Sequence, residues 1–326
     1  MSFHLNNAAF IDDLTFLTRN VGRDTFHKHS PKALYHYTHE SSLVSIIQHR
    51  QFWATCVTEQ SDLTELTHGI ALTEQLVLQM LDKETCSFTR RVLTEIPDVM
   101  RTRRAFIFIV CFCGSESSRF HWENYGEFCL RCEIPPAWQP KLKCADTRAE
   151  SWYSPVIYGE SEQRRAAKRF LNGLVLLIRK YTQGKPDGLA LTWMAKGVAR
   201  DAGQCLLTLV ACFKRKQFVP DAEWRLIFCP NLAPSSSAPA MADESFAPSI
   251  VTLPKRHICL SMDDGATAFG ASKPLQVPFQ DLTYFPTLLK PGSLARVKTV
   301  IDCQTKSISV GAANRHWWDR LREANS

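Results

Sequence analysis

Two residues stand out for the chemistry they could do: a histidine inside the aromatic run Leu34-Tyr35-His36-Tyr37-Thr38, and a glutamate far downstream in Ala222-Glu223-Trp224-Arg225. A carboxylate fixed beside a sugar stabilises the positive charge that builds as a glycosidic bond breaks. It can also hold a hydroxyl or take a proton from a nucleophile. An imidazole supplies one directional donor or acceptor, and a flat aromatic side chain such as Trp53, Trp122 or Tyr125 covers a ring without having to match hydrogen bonds. A histidine early and a glutamate late could therefore frame a dinucleotide site. The plain alternatives are a packed strand histidine and a structural ion pair, because on a strand Glu223 and Arg225 share one face and Trp224 takes the other.

Other residue groups invite competing chemistry. Cys111-Phe112-Cys113 and Cys129-Leu130-Arg131-Cys132 read as two halves of a zinc site. Both pairs sit in strand-like runs rather than at turns, and the first lacks the usual two-residue spacer, so the expectation is no metal. Basic clusters occur at Arg101, Arg103 and Arg104, at Arg164, Arg165, Lys168 and Arg169, and at Lys214, Arg215 and Lys216. The second cluster has the spacing of one helix face, which suits either solvent or phosphates.

The elements that must position these residues follow from hydrophobic periodicity. Residues 32–38 read as a strand and 41–47 as a helix capped by Thr38 or Ser41, followed by a second strand at 51–57. Helical spacing runs through 62–94, and 105–113 is the clearest buried strand. Further strands are expected at 127–134, stopped by Pro135-Pro136, and at 153–158 and 223–229. Helices are expected at 161–181 and at 189–213, the latter broken near Gly197 or Gly203. A Pro-, Ser- and Ala-rich stretch at about 230–249 reads as a flexible loop. After it come strands near 250–260, 275–279 and 296–302 and a last helix bearing Trp317 and Trp318. Strands and helices without regular alternation argue for α+β, and the absence of GxGxxG and GxxxxGK[ST] leaves Rossmann and P-loop readings unsupported.

Composition bounds the rest. The 326 residues, 45% of them hydrophobic, can fill a sizeable core, and the whole chain, 1–326, reads as a single domain with a C-terminal strand and helix extension. The charge of +7 is compatible with a polyanionic partner. Twelve cysteines scattered through apolar runs read as reduced, buried thiols. With no basic leader and no run near the length of a bilayer span, the expectation is a cytoplasmic protein without a membrane partner.

Four motifs in order, His36-Tyr37-Thr38, Phe52-Trp53-Ala54-Thr55, Trp122-Glu123-Asn124-Tyr125-Gly126 and Glu223-Trp224-Arg225, resemble an uncharacterised bacterial domain family whose members read HYT, LWAS, WxxYG and EWR. That family looks like a branch of the ADP-ribosyltransferase fold of diphtheria-type toxins and poly(ADP-ribose) polymerases. The resemblance covers roughly residues 34–228. It implies a split mixed β-sheet with flanking helices and NAD as a substrate, with Glu223 as the catalytic carboxylate and His36 on the adenosine ribose. Tyr37, Thr38, Trp53 and Tyr125 complete the expected cofactor-binding set, although the nicotinamide-stacking aromatic stays open among Trp53, Trp122 and Tyr125. The implied activity is ADP-ribosyl transfer to a macromolecule by a bacterial toxin or anti-phage effector. With the basic clusters, RNA is the leading acceptor, and the family type implies an antitoxin partner. Transfer to protein, NAD hydrolysis and a non-catalytic nucleic-acid-binding module are the alternatives.

Overall fold

The computed structural model describes residues 7–24, 33–49, 51–60, 64–104, 107–116, 118–133, 149–182, 189–230, 257–261, 279–284, 290–304 and 309–312. In chain order the elements are α1 (Asn7–Asp24), β1 (Ala33–Thr38), α2 (Glu40–His49), β2 (Gln51–Cys56), α3 (Thr64–Leu81), α4 (Ser87–Arg103) and β3 (Phe108–Cys113). There follow α5 (Arg119–Tyr125), β4 (Phe128–Glu133), β5 (Ala149–Pro155), β6 (Ile157–Tyr158), α6 (Glu160–Thr182), α7 (Leu189–Val210) and β7 (Phe213–Lys214). The last are β8 (Glu223–Pro230), β9 (His257–Ser261), β10 (Phe279–Tyr284), α8 (Ser293–Gln304) and β11 (Ser309–Ala312). This is a mixed α+β chain with a mostly antiparallel sheet and flanking helices. Among the described residues no helix is long and apolar enough to cross a membrane.

The chain gathers into two compact units of three segments each, interleaved in sequence. The helical unit, 1–29, 56–107 and 154–216, holds α1, α3, α4, α6 and α7 with a small parallel pair, β6 and β7. Its helices are amphipathic. In α4, Phe88, Val92, Leu93, Ile96 and Met100 recur at three- and four-residue spacing and are buried, while Arg90, Arg91 and Arg101 face out. Sequence periodicity runs the 62–94 stretch together, but the structure breaks it after Leu81. The Glu84 carboxylate then accepts the backbone N–H groups of Thr85 and Cys86 and caps α4, where Cys86 offers no side-chain cap. The expected break in α7 does not occur. Gly203 lies where a Cβ would sit 2.7 Å from Val99 of α4, so that glycine serves close helix packing rather than a kink. The N-terminal α1, which sequence analysis did not anticipate, buries Phe10, Leu14 and Val21.

The sheet unit, 30–55, 108–153 and 217–326, holds nine strands with the path β11-β10-β4-β1-β3-β2-β9, and β8 and β5 off that path. Strand β8 pairs with β3 along the whole of β3, from Phe108↔Phe228 to Cys113↔Glu223. A strand has only two edges, so β1 and β2 must share the other edge of β3, and β1 meets it at Tyr35↔Cys113 alone. The sheet therefore forks at β3.

Residues 296–302, expected as a strand, form part of α8. Val297, Val300 and Ile301 have helical spacing, Gly292 turns the chain at φ +78°, and β-branched content does not by itself make a strand. Most of the expected loop at 230–249, most of the expected strand at 275–279, the start of that at 250–260 and the Trp317-Trp318 helix lie outside the described residues.

Candidate active site

All six residues singled out for the site, His36, Tyr37, Thr38, Trp53, Tyr125 and Glu223, fall in the sheet unit. His36 fills the fork. Its ring stands edge-on to Phe52 of β2 and Phe112 of β3, with centroids at 5.1 and 5.7 Å, and its Nδ1 lies 2.9 Å from the Cys111 carbonyl. A carbonyl can only accept, so Nδ1 donates, and the neutral ring keeps its lone pair on Nε2. This bond satisfies a strand carbonyl beside which β1 and β2 part. Burial pushes the imidazole below its ordinary value and so favours that neutral form, an effect the Cys111 bond partly offsets.

Tyr37 and Thr38 are committed to holding α5. The Tyr37 hydroxyl lies 2.8 and 2.6 Å from the carbonyls of Ser115 and Glu116 and accepts the N–H of Ser118, while its ring packs edge-on against Trp122. Burial drives its phenol far above the usual tyrosine range. Thr38 is buried, and its carbonyl presses on Gly126, where a Cβ would come within 2.3 Å. Gly126 adopts φ 133° and ψ 172°, a region open to glycine almost alone. The glycine of WENYG thus locks the end of α5 onto the end of β1. Trp53 and Tyr125, 47% and 44% exposed, present the open aromatic surface of the set.

Glu223 opens β8 and is 5% exposed, and its Oε1 accepts from Arg225 Nε at 2.6 Å. The residue before it, Ala222, has φ +42°, the one positive-φ non-glycine among the described residues, and its carbonyl accepts the N–H of Gly114 at 3.0 Å.

Register decides which side chains share a face. Tyr35, Cys113 and Glu223 lie in one row across β1, β3 and β8, so Glu223 shares its face with Tyr35 and Tyr37. Trp122 packs on that face with Tyr37, Cys113 and Cys129, which brings α5 and Tyr125 to the same side. Trp53 alternates with Phe52 onto it too. His36 lies on the opposite face with Phe52, Phe112 and Trp224, and Thr38, two residues on, shares that face. The structure therefore gathers Glu223, Tyr37, Trp53 and Tyr125 on one face and sets His36 and Thr38 on the other.

The two cysteine pairs are the sequence's candidates for holding a metal ion. Among the described residues no group of three or more His, Cys, Asp or Glu side chains could hold one. Cys113 and Cys129 are core residues, and burial pushes the thiols of Cys129 and Cys132 up.

Beside this cluster, at the junction of α2, α5 and α8, lies a cleft of about 1160 Å³. It is lined by sequence neighbours of the motif residues, His39, Glu40, Trp122, Gly126 and Glu127, and by Lys290 and Arg296. The Glu127 carboxylate bonds His39 Nδ1 at 2.9 Å and accepts the Glu40 N–H at 3.1 Å, so the cap of α2 comes from α5's side rather than from Thr38 or Ser41. Glu40 in turn accepts from Arg296 and Ser293 of α8, and Arg296 holds its carboxyl down to about 2. Sequence reasoning missed this network. The one available signal was an acidic residue directly after the WENYG glycine, and Glu40 and Arg296 are too far apart in sequence to suggest a pair.

No family model matches the chain, and no curated protein or solved structure matches it.

Proposed function

We propose that the protein is an NAD-dependent ADP-ribosyltransferase that uses Glu223 as its catalytic carboxylate, built on an ADP-ribosyltransferase-like split sheet. The observation that carries this reading is the strained Ala222 immediately before Glu223. A left-handed alanine costs on the order of 1 kcal/mol, and strain of this kind collects where a following side chain must be aimed. The Arg225 guanidinium then fixes the carboxylate in place before any substrate arrives, as stabilisation of a developing oxocarbenium requires. Trp53 and Tyr125 supply exposed rings on the same face for nicotinamide. His36 acts from the other face through Nε2 as an acceptor for a ribose hydroxyl, and one dinucleotide reaches both only across the fork between β1 and β2.

In the transfer, the ribose C1–nicotinamide N bond breaks and nicotinamide departs with the electron pair. A nucleophile of the acceptor then bonds to C1 and gives up its proton, which Glu223 can take. We infer a nucleic-acid acceptor, RNA first, from the basic balance, with an antitoxin in the producing cell.

Incubation with labelled NAD and separate RNA, DNA and protein pools tests this. Label on RNA is expected. Label on protein alone would move the acceptor, and free ADP-ribose alone would make the protein a hydrolase. A second reading, a non-catalytic binding module, is favoured by the buried Glu223–Arg225 pair, whose geometry equally suits a structural ion pair. No labelled product in any pool would establish it.

A further inference from the structure

The fold brings together two basic clusters that lie some 45 residues apart in sequence. The buried Gln163 side-chain amide donates to the carbonyls of Ile157 and Lys214 at 2.9 and 2.8 Å, which seats the segment after β7 against the start of α6. Arg165, Lys168 and Arg169 point outward from α6 beside Arg215 and Lys216, and all five are exposed. The Glu162 carboxyl is lowered first by its Ser161 bond, and it also feels both Arg165 and Lys216, which sets the two clusters within electrostatic reach of each other. Of the chain's 39 Lys+Arg and 32 Asp+Glu, 21 and 15 fall in the helical unit, leaving 18 and 17 for the sheet unit. Segment 154–216 alone holds 12 basic against 4 acidic residues. The chain's positive charge is therefore concentrated on this unit.

We propose that this face of α6 binds the phosphodiester backbone of a nucleic acid without reading its sequence. Flexible ammonium and guanidinium groups along one helix face suit a row of phosphates. A membrane surface does not fit. The apolar side of α6, with Ala167, Phe170, Leu171 and Leu174, is buried within the unit and cannot enter lipid. Binding at this face is independent of NAD chemistry and is measured without NAD.

The experiment is fluorescence anisotropy of the full chain with single-stranded RNA and DNA oligonucleotides of mixed sequence. If about four phosphates are neutralised, raising salt from about 50 to 200 mM weakens binding roughly 50-fold. RNA and DNA bind alike. Arg165→Glu with Lys168→Glu weakens binding at least tenfold and flattens the salt dependence, whereas Lys83→Glu with Arg91→Glu, the same charge change on exposed residues of this unit outside the patch, changes it less than twofold. If the reversed pair fails to fold, Arg165→Gln with Lys168→Gln reads out the same loss. Equal loss in patch and control variants, binding indifferent to salt, or capture by anionic vesicles but not by oligonucleotides would overturn the proposal.

Discussion

Glu223 and Arg225 form a buried ion pair. Removing one partner of such a pair leaves a buried charge uncompensated, at a cost of ~3 kcal/mol. Glu223→Gln is therefore expected to lose ADP-ribosyl transfer and also to lower stability in a urea melt. The double variant Glu223→Gln with Arg225→Leu is expected to recover most of that stability with no recovery of transfer. Full transfer by the folded double variant would show that the carboxylate has no catalytic part. Tyr37 illustrates the opposite lesson. The family resemblance implies that it contacts the cofactor, yet its hydroxyl bonds the 115–118 turn that launches α5.

At the scale of elements, α5 is held at both ends, by Tyr37 at the start and by the Gly126–Thr38 contact at the finish. Gly126→Ala must relieve both a forbidden backbone angle and a 2.3 Å clash with backbone, so it is expected to destabilise the protein by at least ~3 kcal/mol. A thermal melt unchanged within error would contradict that packing. The tie between α2 and α8 is electrostatic instead. Glu40 is held below its ordinary value, first by Arg296 and then by Ser293, so its folded state favours the ionised form. The stability it adds is complete above the unfolded carboxylate range near pH 4.5 and fades as pH falls toward about 2. Hydrogen exchange in α8 is expected to accelerate across that acid window, and in Glu40→Gln to be fast already at neutral pH. Protection of α8 that ignores both changes would mean the tie contributes nothing.

Across the whole molecule, two units interleave so that no single cut of the chain separates them, which is why composition and periodicity read as one domain. They differ in character. One is built of helices and carries most of the net charge, and the other is a forked sheet with the carboxylate, histidine and exposed aromatics. The steep salt dependence proposed for nucleic-acid binding is thus expected of the helical unit, and the proposed NAD turnover of the sheet unit. The two activities are expected to fail separately when the α6 face or Glu223 is changed.

The sequence by itself determined the local structure where periodicity was strong. The strands around His36, Cys111 and Glu223 and the helix α6 lie where apolar spacing put them, because side-chain burial with period two or 3.6 is a local property. It also marked the motif glycine, although not its reason. Periodicity misled at 62–94, at α7 and at 296–302, where a local carboxylate cap, a close helix crossing and a turn glycine settled the outcome. Only the tertiary structure decided which faces the motif residues take, because strand register depends on partners far away in the chain. Register is what separates His36 from Glu223, whereas the Gln163 side chain seats Lys214 against α6, and helix packing lets Glu127 and Arg296 line a cleft that no spacing in the sequence announces.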